Sequence, residues 1–233
     1  MFRRVAIIGG GAAAASLVSE LAERNDRAPL AIDWFTGSAQ PGRGIAYATR
    51  SPQHLLNVRA ASMSLYAARP RGFLDFVQQD DPALDGTAFL PRARYGDYLE
   101  AEVAHAFATA EQHGHYINTI PFHADALVPE PARVTVIQGE TQFGADAAVL
   151  AIGALPPRPL PGVAAAAVAS GRYVVDPWPY LATAPAAPAP HRVLVVGLGL
   201  TAVDVLVELA QRWPAAHFTA ISRHGLLPEV HGE

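Results

Sequence analysis

Cysteine is absent from this chain of 233 residues. That excludes disulfides, thiolate redox centres and cysteine-based zinc sites, and it fits a reducing compartment. Long apolar runs are missing too. No stretch of about 18 apolar residues occurs, so no membrane-spanning helix is expected. Charge of one sign is scarce: 17 Lys and Arg stand against 21 Asp and Glu, a formal net charge of −4. Without a basic patch, nucleic acid is not an expected partner. Arg3 and Arg4 precede an apolar segment in the manner of a signal peptide, but three glycines interrupt it and it continues into an amphipathic pattern. The expected location is therefore the cytoplasm.

What is present suffices for a sizeable core, since 51% of the residues are hydrophobic. Residues 5–8 are a short, wholly apolar run, the mark of a buried parallel strand. Glycines follow, then Ala14, Leu17, Val18 and Leu21 at helical spacing on a helix expected to end near Asn25. Residues 30–35 read as a second strand, which makes a β-α-β unit with a right-handed crossover. Residues 37–72 are rich in Gly, Pro, Arg and Ser and read as extended loop with short elements. Helices are expected over 73–79 and 95–112, and strands over 134–138 and 147–152, the latter central in its sheet. Nine of the 20 prolines fall between 156 and 190, as in a connection between two lobes. Beyond it, a strand over 193–196, a helix carrying Val203, Leu206, Val207 and Ala210, and a strand over 218–221 repeat the opening pattern. The expected fold is α/β: a Rossmann-like lobe over 1–175, a Pro/Ala-rich linker over 176–191, and the beginning of a second Rossmann-like lobe, incomplete, over 192–233.

Both strand-to-helix turns carry G-x-G-x-x-A: residues 9–14 and residues 197–202. Gly9 and Gly197 permit the tight turn, Gly11 and Gly199 let the backbone approach a pyrophosphate, and the small residue at Ala14 or Ala202 lets helix and strand pack closely. The phosphate is then expected on the first helical N–H groups, at Ala12 and Ala13 in the first unit and near Thr201 in the second. The end of the following strand reads the adenosine ribose. There the second unit has Ser222-Arg223-His224 and no acid, which favours NADPH over NADH through Arg223. In the first unit Asp33 alternates onto the opposite face, and Thr36 is the expected ribose contact.

The stretch Gly42-Arg43-Gly44-Ile45-Ala46-Tyr47-Ala48-Thr49, followed by His54-Leu55-Leu56-Asn57-Val58 and Met63-Ser64, resembles the FAD/NAD(P)-binding family that includes FAD-dependent urate hydroxylase-like proteins. Asp176-Pro177-Trp178 and Gly225-Leu226-Leu227-Pro228 agree with it. A more distant similarity is to the N-hydroxylating and Baeyer–Villiger-type flavin monooxygenases. The resemblance implies FAD on the first turn, a nicotinamide on the second, and a crossing between lobes at Gly153. Thr36 departs from it, standing where the family has an acid. The chemistry of the stretch is compatible. Gly42 and Gly44 allow close backbone approach, Arg43 can neutralise pyrophosphate, Asn57 suits a flavin's polar edge, and Met63 a ring face. Tyr47 and Val58 belong to the same segment.

The resemblance further implies an oxidoreductase in which NAD(P)H reduces FAD, monooxygenase-like and acting on a small-molecule substrate. It also implies that the chain stops before returning to the flavin lobe, so that a homodimer or a complementary C-terminal chain is expected. The alternatives are a flavin- or dinucleotide-binding module without turnover of its own, and an NAD(P) dehydrogenase without flavin, against which residues 42–64 argue. No general acid or base stands out. His113 and His115 read as a surface pair rather than a metal site, and Ser16, Ser19 and Ser222 lack a nucleophile-elbow context.

Overall fold

The computed structural model describes residues 3–25, 28–38, 40–183 and 189–229. They form two compact units that divide between Leu155 and Pro156. In the first, strand β1 (Arg3–Ile8) leads into helix α1 (Ala12–Ala22), and β2 (Leu30–Phe35) follows. β1 and β2 pair in parallel, Ile7 opposite Trp34 and Ile8 opposite Phe35. A short helix α2 (Gly44–Tyr47), a 3-10 turn (Ala60–Ser62) and helix α3 (Gly72–Gln78) lead to the long helix α4 (Arg92–Gln112). Strand β3 (Tyr116–Ile120) joins β2 in parallel. Strands β4 (Ala126–Glu130), β5 (Arg133–Gln138) and β6 (Thr141–Ala145) form an antiparallel sheet, and β7 (Ala147–Leu150) returns to β1. The parallel sheet has the order β3-β2-β1-β7.

Alternation along the strands divides their side chains between two partners. Ile7, Ile32 and Trp34 pack against Ala14, Ala15 and Val18 of α1 and Val103 of α4. Ala6, Ile8, Phe35 and Ile120 pack against Val136 and Ala145 of the antiparallel sheet. Both faces of β1 and β2 are therefore covered, which is why these strands are apolar at nearly every position. A third cluster joins Phe73 and Leu74 of α3, Tyr95 and Tyr98 of α4, and Leu56 and Tyr66 of the long segment between β2 and α3. It roots that segment in the unit despite its loop-like composition.

The expected central position of β7 is not what folds. Among the described residues β7 pairs with β1 alone and is an edge strand, leaving Leu150 60% and Ile152 53% exposed. Strands β3, β4 and β6 were outside the expectation. Asn118, Pro129 and Gly144 interrupt their patterns, and their pairing rather than their composition makes them strands.

In the second unit, helices α5 (Ala165–Ala169) and α6 (Pro177–Thr183) precede β8 (Arg192–Val196), α7 (Leu200–Arg212) and β9 (His217–Ile221). β8 and β9 pair in parallel. Val193, Val195 and Phe218 pack against Val205 and Leu209 of α7, together with Leu181 of α6 and Trp213. The stretch expected as a linker thus contains a helix. Pro177 and Pro179 fall in its first turn, where no intrahelical N–H donor is required. Residues 184–188 of that stretch lie outside the described residues. Among the described residues, no helix is long and apolar enough to cross a membrane.

Candidate functional site

The chain leaves β1 through Gly9, Gly10 and Gly11. Gly9 has a φ of +130°, and a Cβ there would collide with the Ala151 carbonyl oxygen. The Gly9 N–H donates to the Phe35 carbonyl at 2.8 Å, and Trp34 Nε1 donates to the Gly9 carbonyl at 2.7 Å. Gly10 is equally hemmed in: a Cβ would run into the Thr36 carbonyl oxygen. Gly10 is a variable position of the motif, so the motif gave no reason to single it out. Gly11 is the N-cap of α1, which has no side-chain cap and no acid in its first turn. The first N–H groups of that helix, at Ala12, Ala13 and Ala14, are left for an outside acceptor, and the positive end of the helix dipole favours an anion there.

The segment 42–44 folds back over this turn. The Gly42 N–H donates to the Gly10 carbonyl at 2.8 Å. Gly44 has a φ of +55°, and a Cβ on it would lie 2.8 Å from Gly11 Cα. Two glycine segments read separately in the sequence therefore form one backbone cradle. Arg43 does not meet the expectation of a free cation beside pyrophosphate. Its buried guanidinium donates to Glu100 Oε1 at 2.6 Å and Oε2 at 2.9 Å, to Asp97, and to the carbonyls of Ala93 at 3.1 Å and Tyr47 at 3.3 Å. Buried charge must be paired, and α4 supplies the carboxylates. The Arg43 hydrogen bond holds the Glu100 carboxyl below the usual carboxylate range.

Tyr47 packs on Tyr95, ring centroids 4.7 Å apart, and burial raises its phenol above the ordinary range. Tyr47, Met63 and Ala12 all pack against the aromatic cluster, so Met63 lies beside the residues that root the cradle. Asn57 and Val58 are exposed.

At the end of β2, Thr36 is buried. Its hydroxyl donates to the Ser38 carbonyl at 2.5 Å and has the Ile120 carbonyl at 3.3 Å. With that proton engaged by the Ser38 carbonyl, Thr36 can offer a ribose only a lone pair. Asp33 is on the other face, paired with Arg4 at 2.7 Å and Asn118 at 3.1 Å. Sequence reading gave no place to His123, whose exposed imidazole stands over Gly37; a Cβ on Gly37 would lie 2.6 Å from His123 Cε1. Only the pairing of β2 with β3 brings that loop here.

The second turn repeats the frame. The Gly197 N–H donates to the Ile221 carbonyl at 2.7 Å, as Gly9 does to Phe35. Gly197 has a φ of +118°, and Gly199 is the N-cap of α7, again without a side-chain cap or a first-turn acid. This turn is open: nothing lies within 4 Å of a Cβ on Gly197 or Gly199. Thr201 and Arg223 are exposed. Gly153, with a φ of +66°, is likewise exposed. His113 and His115 are not a surface pair. His115 Nδ1 accepts the Leu30 N–H at 3.0 Å while its Nε2 donates to the Arg24 carbonyl at 2.6 Å, and His113 donates to the Ala22 carbonyl at 2.9 Å. Both rings tie the exit of α1 to the start of β3.

The sequence profile of a family described as FAD-NAD(P)-binding matches residues 6–155. No curated protein sequence matches the chain significantly. Among solved structures, an ornithine N-hydroxylase from Kutzneria sp. 744, with reduced FAD, NADP+ and L-ornithine, is 20% identical over 95% of this chain and 53% of its own, with a TM-score of 0.63. A bacillithiol disulfide reductase from Staphylococcus aureus is 15% identical over 97% of this chain and 58% of its own, with a TM-score of 0.60. An L-lysine 6-monooxygenase from Pseudomonas syringae is 18% identical over 94% of this chain and 53% of its own, with a TM-score of 0.59. At these identities the likeness is one of fold, Rossmann-like in both units. The chain spans between 53% and 58% of the length of these three structures.

Proposed function

The chain belongs to the FAD-NAD(P)-binding family, and on that premise we propose that it is an oxidoreductase with FAD at the first glycine turn and NADPH at the second. The observation that carries the reading is the cradle of residues 9–11 and 42–44 over the uncapped N-terminus of α1. Glycines 9, 10 and 44 let the turn pack backbone to backbone against Ala151, Thr36 and Gly11, which holds the uncapped helix N-terminus in place for an extended anionic group. Gly42 and Gly44 line the far side of the cradle. Ala12, Ala13 and Ala14 present N–H groups to the pyrophosphate. Thr36 and His123 stand at the ribose end, and Tyr47, Asn57, Val58 and Met63 lie on the segment that runs on from the cradle. In the second unit Gly197, Gly199 and Thr201 hold the pyrophosphate, and Arg223 meets the 2′-phosphate. Bound together, the two cofactors would supply hydride transfer from nicotinamide to flavin and, in monooxygenase-like chemistry, oxygen activation. The resemblance to urate hydroxylase-like members rests on residues 42–64.

A second reading, a dinucleotide-binding module without turnover of its own, is favoured by the openness of the second turn. One experiment separates them. The purified chain is titrated with FAD while its visible spectrum is recorded, then given NADPH without oxygen. Tight FAD binding and bleaching by NADPH support the oxidoreductase; binding without bleaching supports the module. A protein that ignores FAD sinks the oxidoreductase, and one that ignores NADPH as well sinks the module; faster bleaching by NADH than by NADPH removes the role given to Arg223.

A further inference from the structure

Resting on the reading that FAD occupies the first turn, we infer that Arg43, Asp97, Glu100 and Gly96 form a positioning brace. They fix the 42–44 half of the cradle without touching the cofactor. The starting observation is the depth and completeness of the Arg43 contacts. The residue is 5% exposed, yet its guanidinium meets two carboxylates and two carbonyls, three of these four groups lying on α4 and the fourth, the Tyr47 carbonyl, on α2. Arg50 reaches the same Asp97 at 3.5 Å from the solvent side.

The slot for the guanidinium is made by a missing side chain. A Cβ on Gly96 would collide with Arg43 Nη1 and lie 2.7 Å from the Tyr47 carbonyl oxygen. Gly96 therefore lets α2 and α4 close on one another through Arg43. The other end of the same short segment is the cradle, where Gly42 bonds to Gly10 and Gly44 lies against Gly11. Between these anchors only a few residues intervene, so the arginine sets where the Gly42 and Gly44 backbone lies relative to the N-terminus of α1. A bidentate Arg–carboxylate pair supplies the directional constraint that an apolar contact would not. The brace acts by preorganisation, removing the ordering cost of the 42–44 segment from the binding step.

The test compares the full chain with Glu100→Gln, Gly96→Ala, Arg43→Lys and Arg43→Met. FAD affinity is read by quenching of flavin fluorescence, NADPH affinity by its own fluorescence, and folding by the far-UV melting temperature of the cofactor-free protein. Glu100→Gln and Gly96→Ala are expected to weaken FAD binding about tenfold, with NADPH affinity unchanged within about twofold and the melting transition retained. Arg43→Lys, which keeps the charge but loses the fork, falls between wild type and Arg43→Met. Wild type binding FAD while Glu100→Gln and Gly96→Ala bind it equally well overturns the brace and leaves the proposed function standing. Parallel loss of both affinities, or of the melting transition, in Glu100→Gln and Gly96→Ala reduces the cluster to fold support and also overturns it. Wild type that fails to take FAD removes the first-turn reading, and the brace with it.

Discussion

Gly10 and Arg43 show how far a residue's neighbours govern its use. Position 10 lies between the two glycines of the motif that carry the recognised roles, and any small residue satisfies the pattern. In the fold its Cα faces the Thr36 carbonyl with no room for a Cβ. Gly10→Ala is therefore expected to push β1 and β2 apart at their ends and abolish measurable FAD binding. An unchanged visible spectrum after reconstitution would refute that steric account. Arg43 presents the reverse case. Its chemistry suits phosphate, but burial beside Glu100 and Asp97 spends that chemistry inside the protein. His123 comes to stand over Gly37 with no local pattern to announce it.

At the level of elements, periodicity was a sound guide where a strand or helix has one dominant environment. The first β-α-β opening was legible because a parallel strand covered on both faces needs an apolar run, and a helix against it needs a 3.6-residue stripe; the second carries the same apolar run although Leu194 and Val196 are exposed. Strand β2 adds a polar duty to its packing: Trp34 is fully buried against α1 and also donates to the Gly9 carbonyl. Trp34→Phe should cost about 1–3 kcal/mol by leaving that carbonyl without its donor, read as a lower urea midpoint for the first unit with an unchanged slope. A midpoint equal to wild type would show that water replaces the indole. The same periodicity misplaced β7, whose apolar run is equally compatible with a centre or an edge, and missed β3, β4 and β6, which owe their strand state to cross-strand partners.

For the molecule as a whole, the two glycine turns and the proline-rich stretch between them led to the expectation of two lobes joined by a linker over 176–191; the structure has two compact units that divide after Leu155. Residues 153–162 are exposed without a break, include Pro156, Pro157, Pro159 and Pro161, and form no helix or strand. A protease without sequence preference is expected to cut there first, giving fragments that mass spectrometry places near residues 1–155 and 156–233. First cleavage within β4–β6 instead would contradict that order.

The sequence by itself determined the class of fold, the position of both glycine turns, and the segment 42–64 as the stretch to join to the first of them. These are matters of local spacing, settled by geometry over a few residues. Only the tertiary structure decided that Gly10 is as tightly held as Gly9, that the Thr36 hydroxyl donates to the Ser38 carbonyl, that His123 stands beside Gly37, and that the Arg43 guanidinium is buried against Asp97 and Glu100 of α4. Each of those depends on which residues, distant along the chain, are brought within a few ångströms. A side chain's chemical capacity is written in its own identity, but its partner is set by packing.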